Sequence, residues 1–183
     1  MMSADQIRIT VQEAVKKAES RSLTEICDAH GILFLQSDMG SAPDACKGFF
    51  LQQDGICSVM LNSALDEDTK NFVLAHELGH AFLHQSYTDQ SFHDFGLFTD
   101  HSQLEYEANL FAADLLLEDA AVCSVLCECD DFFHAARLLR VPPQILDFKL
   151  RIMKKCGVLP LDAPIVACGD FLKSYSGNGQ KTL

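Results

Sequence analysis

Along residues 4–19, ADQIRITVQEAVKKAE, the apolar positions Ile7, Val11, Ala14, Val15 and Ala18 recur at steps of three and four, which lays one apolar stripe along a helix. SLTE at 22–25 has the form of a capping box, so a second, short helix is expected to open there and to stop at Gly31. The apolar run ILFLQ then reads as a strand. KGFFLQQ and ICSVMLN read as two more, joined by a tight turn at Asp54 and Gly55. From about Asp66 to His84 the period returns to helical, with apolar residues on all sides of the axis, as in a helix enclosed by its domain. The segment QSYTDQSFHDFGLFTDH that follows has no clear period. Helix resumes at SQLEYEANLFAADLLLE, continues through AAVCSVLCE and DFFHAARLLR, and restarts after Val141 as a helix with Pro142 and Pro143 in its first turn, running to about Lys155. These elements predict an α+β fold: a small, mostly antiparallel sheet beside a helical bundle.

At 183 residues the chain suits one domain, expected over 1–165, with 166–183 as a flexible tail around SYSGNGQKTL. Eight cysteines are scattered through a chain with ample apolar residues and no secretion signal, so they are expected to be mostly reduced. No run of about 18 apolar residues offers a membrane span, and the N-terminus lacks the basic and apolar regions of a signal peptide, which predicts a soluble cytoplasmic protein. A formal charge of −12 argues against nucleic acid or an anionic membrane as a broad-surface partner.

The chemistry lies in FVLAHELGHAFLH, residues 72–84. Residues four apart on a helix share a face about 6 Å apart along the axis, so His76 and His80 can aim their imidazoles at one divalent metal. Glu77 falls about 100° round the helix from His76, beside the metal rather than on it, where it can take a proton from an attacking water. This is the physical content of the H-E-x-x-H zincin motif. His84 lies roughly 12 Å along the axis from His76, too far for both to share one ion on a straight helix, and is expected to act in support, packing or the substrate pocket. A catalytic zinc keeps three protein ligands and one open position. The third is sought in LEYEANLFAADLLLE, where Glu105 and Glu107 point in different directions. Glu105 shares a face with Asn109, Ala112 and Leu116, and helical facing favours it over Glu107, with Asn109 available to hydrogen-bond a ligand histidine. Ser102 with Glu105 also fits a capping box, an alternative use for that glutamate.

HELGHAFLH followed by EYEANLFAADLLLE resembles the ImmA/IrrE family of zinc metallopeptidase-like proteins, typical of phages and mobile elements, and the likeness covers most of residues 22–160. The E-x-x-A-N arrangement also resembles the E-x-x-A-D element of gluzincin peptidases, whose first glutamate binds zinc; carried over, this selects Glu105. The resemblance implies a zincin-like domain with HELGH on a central helix, a Zn2+ cofactor held by His76, His80 and Glu105, and Glu77 as catalytic base. It further implies site-specific cleavage or inactivation of a helix-turn-helix repressor that keeps a phage or integrative element silent. A regulatory or toxin-like interaction protein that keeps the zinc but does not cut is the competing expectation. LLLEDA departs from the Leu-Met-Pro of many relatives and leaves the end of that helix open.

Other residues add less. Cys123, Cys127 and Cys129 are expected to pack rather than form a second metal site, because only the first two share a helix face. Tyr87, His93, His101, Tyr106 and His134 are candidates to stabilise an oxyanion, and sequence does not choose among them. Residues 85–101 are a candidate lid or specificity loop, with Phe92, Phe95 and Phe98 available to substrate or core.

Overall fold

Among the described residues, seven helices and four short strands follow one another: α1 (Ala4–Ala18), α2 (Leu23–His30), β1 (Ile32–Ser37), β2 (Gly48–Gln53), β3 (Ile56–Asn62), α3 (Glu67–Leu83), β4 (Phe92–Asp94), α4 (Gln103–Leu116), α5 (Asp119–Glu128), α6 (Phe132–Leu138) and α7 (Pro143–Lys155), all but β4 in the expected order. The computed structural model describes residues 2–42, 44–84, 92–94, 102–129 and 131–159. The expected tail at 166–183, and most of the candidate lid at 85–101, lie outside the described residues.

Each element starts and stops for a local reason. Ser3 and Gln6 close a reciprocal capping box on α1, and its stripe buries Ile7, Val11 and Ala14. Removing an Ile or Val side chain of this kind from water stabilises the fold by about 1.5–3 kcal/mol. SLTE opens α2 as expected, but not through a box: Ser22 makes no side-chain cap bond, and its hydroxyl meets that of Thr24 at 3.1 Å instead. Gly31 ends α2 at φ 66, a left-handed conformation that suits glycine. Asp54 and Gly55 both have positive φ, 52 and 80, which matches the two-residue turn of a right-twisted hairpin.

The sheet has the order β1-β3-β2-β4. β2 pairs antiparallel with β3 and with β4, while β1 lies parallel to β3, so the sheet is mixed with two antiparallel pairings and one parallel. β4 was not apparent in the sequence because its three residues show no alternation and pair only through the main chain of Gly48–Phe50. α3 packs on β2 and β3 from one side and against α4 on the other. A Cβ on Gly48 would lie 2.7 Å from Val73 Cγ1 and 2.9 Å from Leu61 Cδ2, so the absent side chain lets helix and sheet meet closely. Asp66 caps α3, accepting from Thr69 N–H at 2.9 Å, and the Thr69 hydroxyl and N–H hold its carboxyl below the usual range. The core joins α1, α2, α4 and α7 around α3, through Ile26, Phe72, Leu78, Phe111, Ile145, Leu146 and Ile152.

Candidate metal centre

Every residue of α3 from Phe72 to Ala81 is buried, including His76, Glu77 and His80. An apolar helix enclosed on all sides thus carries three polar side chains into the interior, where each needs a partner to offset its lost hydration. α4 brings some of the partners. It approaches α3 at Gly79, where an added Cβ would lie 2.9 Å from Ala108 Cα and 3.0 Å from Ala108 O. The small pair Gly79 and Ala108 lets the helices touch almost backbone to backbone, which places the first turn of α4 within reach of both histidines.

His76 Nε2 and His80 Nε2 lie 3.1 Å apart, Glu105 Oε2 is 3.1 Å from His76 Nε2, and Glu105 Oε1 is 3.4 Å from His80 Nε2. These residues form the one group among the described residues whose donor atoms converge within 4.8 Å and could hold a metal ion. The donor set suits zinc in kind and in size. Two imidazole nitrogens and a carboxylate oxygen are a catalytic-type zinc set, and bonds of about 2.0–2.1 Å from a tetrahedral ion span ligand-to-ligand edges of about 3.3 Å. The separations between the histidine nitrogens, and from each nitrogen to the nearer Glu105 oxygen, are close to those edges.

The surroundings keep the rings in a ligating state. Burial pushes His80 down to about 4, against the raising effect of Glu105, so its ring is neutral at ordinary pH. Burial works to raise Glu105, but the close contacts with the His76 and His80 rings outweigh it and hold the carboxyl well below the usual carboxylate range. His76 Nδ1 lies 3.0 Å from Asn109 Oδ1; with Nε2 turned to the shared point, Nδ1–H donates to that oxygen. Glu77 is fully buried on the same helix.

The two glutamates part company as helical facing predicts. Glu105 turns to His76 and His80. Glu107 instead meets His84, its Oε2 lying 3.3 Å from His84 Nε2, and Oε1 accepts from Met2 N–H at 2.7 Å and from Gln103 Nε2 at 2.8 Å. Burial opposes the charge of Glu107, but these donors hold its carboxyl low. His84 closes α3, with Nδ1 2.9 Å from His80 Nδ1. Ser102 does cap α4, accepting from Glu105 N–H at 3.2 Å, yet the Glu105 side chain is directed to the histidines.

The remaining candidates are not gathered here. The Tyr106 hydroxyl accepts from Lys155 Nζ at 3.3 Å and its ring stacks edge-on with Phe148, which directs it toward α7. His134 is exposed at the start of α6. Tyr87, Phe95, Phe98 and His101, and the side chains of Phe92 and His93, lie outside the described residues. Cys123, Cys127 and Cys129 are free thiols. What sequence reasoning missed is the part played by Met2, which binds through its main chain and so leaves no trace in residue type.

Two comparisons with known proteins place the chain in a family. Residues 27–151 match the IrrE N-terminal-like domain of a peptidase family, a span that contains both α3 and α4. The chain is 30% identical over 147 residues to Metallopeptidase ImmA of Bacillus subtilis (strain 168), covering 79% of this chain and 83% of that protein. It is also 30% identical over 116 residues to Uncharacterized immunity region protein 2 of Bacillus phage phi105, covering 63% of this chain and 71% of that protein. No helix among the described residues is long and apolar enough to cross a membrane. The group of donors that could hold a metal ion lies inside the matched span, and the chain belongs to the ImmA/IrrE family of metallopeptidases.

Proposed function

We propose that this protein is a zinc-dependent endopeptidase in which His76, His80 and Glu105 hold the metal and Glu77 is the catalytic base. The observation that carries the reading is the triangle of donor atoms from His76, His80 and Glu105. A zinc ion held there supplies Lewis acidity toward water and toward the carbonyl of the scissile bond. The protein's own residues do the rest. Glu77, one position after a ligand and enclosed by apolar neighbours, takes the proton of the attacking water on a carboxylate oxygen and returns it to the leaving amine. Asn109 keeps the His76 ring in the tautomer that presents Nε2.

The substrate we propose is a helix-turn-helix repressor of a phage or integrative element. Support comes from the relative named for a phage immunity region and from the acidic surface, which disfavours nucleic acid itself as the target. The competing reading, a zinc-containing protein that binds its partner without cutting, is separated by Glu77, since a purely structural metal does not need that base.

Purified protein should carry about one zinc per chain, and His76→Ala or His80→Ala should lose it. Glu77→Gln should keep folding, zinc content and partner binding, while lowering cleavage by about 10²–10⁴. The measurement is mass spectrometry of fragments from a candidate helix-turn-helix repressor, with wild type and Glu77→Gln in parallel. Equal fragment yields would remove Glu77 from the mechanism. Relief of repression by both proteins without fragments would establish the binder.

A further inference from the structure

Behind the donor triangle the polar contacts continue outward in one line. His80 Nδ1 meets His84 Nδ1 at 2.9 Å, His84 Nε2 meets Glu107 Oε2 at 3.3 Å, and Glu107 Oε1 accepts from Met2 N–H and Gln103 Nε2. His84 and Glu107 are buried to within a few per cent, at 2% and 3% exposure, so the contacts from His80 to His84 and from His84 to Glu107 are shielded from solvent. We propose that His84 and Glu107 form a positioning pair that fixes the tautomer and ring orientation of His80 for metal binding, with Met2 and Gln103 holding the pair in place. This rests on the reading that His76, His80 and Glu105 hold the metal.

Proton bookkeeping gives the line a single polarity. A His80 that presents Nε2 to a metal carries its hydrogen on Nδ1. That hydrogen needs an acceptor, so His84 Nδ1 is bare and the His84 hydrogen sits on Nε2. There it is donated to Glu107 Oε2, and the carboxylate, acceptor-only when ionised, is the natural terminus. Oε1 of the same carboxylate is taken by the two donors from Met2 and Gln103, which leaves Oε2 facing His84. His76 is held through one amide, whereas His80 is held through a ring and a carboxylate. A carboxylate charge thus stands behind His80, through His84, where a neutral amide stands behind His76.

Glu107→Gln tests the polarity directly, because its amide has one acceptor to offer where the carboxylate has two. If the amide oxygen stays with Met2 and Gln103, the NH2 faces His84 Nε2 and forces the His84 hydrogen onto Nδ1, against that of His80. The experiment measures Zn2+ affinity of the full chain by competition with a chromogenic chelator, together with the visible absorption of the Co2+-substituted protein. Circular dichroism of the metal-free forms monitors folding. His84→Phe and Glu107→Gln are each expected to weaken Zn2+ binding by about 10–100-fold and to shift the Co2+ bands. The double variant should be no weaker than His84→Phe, because Glu107 acts through His84. His84→Asn, whose amide oxygen can accept where Nδ1 did, should recover part of the affinity.

Wild-type affinity in either single variant, or losses that add in the double variant, would overturn the pair. Should His84→Phe fail to fold, Glu107→Gln decides alone by the same criterion. A wild-type chain that takes up no Zn2+ overturns the metal reading itself, an outcome distinct from normal uptake by every variant.

Discussion

Asn109 holds the far nitrogen of His76 at 3.0 Å with both groups buried, so replacing it leaves a ring hydrogen with no acceptor in place of the amide. Asn109→Ala should therefore lower Zn2+ affinity by about 10–100-fold, as loss of an outer partner typically does, and Asn109→Asp should lower it less because it still accepts. Isothermal titration of the metal-free variants would check both; equal affinity in all three proteins would remove Asn109 from the site. Single residues were legible in the sequence where local geometry decides them. The i, i+4 pair His76 and His80, and the face shared by Glu105 and Asn109, follow from helical pitch alone. The direction of Glu107 does not, since pitch says only that it points away from Glu105. What it meets there, His84 and the main chain of Met2, is 105 positions distant in the second case and is set by how α1 is seated.

At the scale of the element, the contact between α3 and α4 determines whether the three donors converge. Gly79 faces Ala108 with no room for a methyl group, since a Cβ would lie 2.9 Å from a main-chain atom that cannot rotate aside. Gly79→Ala should push the helices apart, costing about 1–3 kcal/mol of stability from overpacking. It should also weaken Zn2+ binding, since Glu105 rides on α4 and the histidines on α3. Thermal unfolding with and without Zn2+ would separate the two effects: a loss of stability with unchanged metal-induced stabilisation would mean that α4 tilts without moving Glu105. The helices and the β2–β3 hairpin were legible because each writes its period and its stop signals locally. The parallel placement of β1 and the addition of β4 were not, because both are made by main-chain pairing to strands already present, and pairing of that kind does not depend on residue type.

Across the whole molecule, four charges tie the helices together away from the metal centre. Arg8 of α1 lies 3.0 Å from both Asp114 of α4 and Asp119 of α5, and Lys149 of α7 lies 2.6 Å from the same two carboxylates. Lys149 is only 1% exposed, so these carboxylates take the place of water around its amino group. Asp114→Ala leaves Lys149 and Arg8 with Asp119 alone and should destabilise the protein by about 1.5–3 kcal/mol, the scale of a lost hydrogen bond to a charged group, and adding Lys149→Met should recover part of that loss. Urea unfolding of the single and double variants would test it; no recovery in the double variant would mean that the aspartate acts by packing rather than charge. Main-chain atoms tie the molecule together as well. Because the bond from Met2 to Glu107 is given by an N–H that nearly every residue possesses, a survey that replaced residue 2 with each amino acid in turn would score the position as tolerant, and its informative case would be proline, which has no N–H to give.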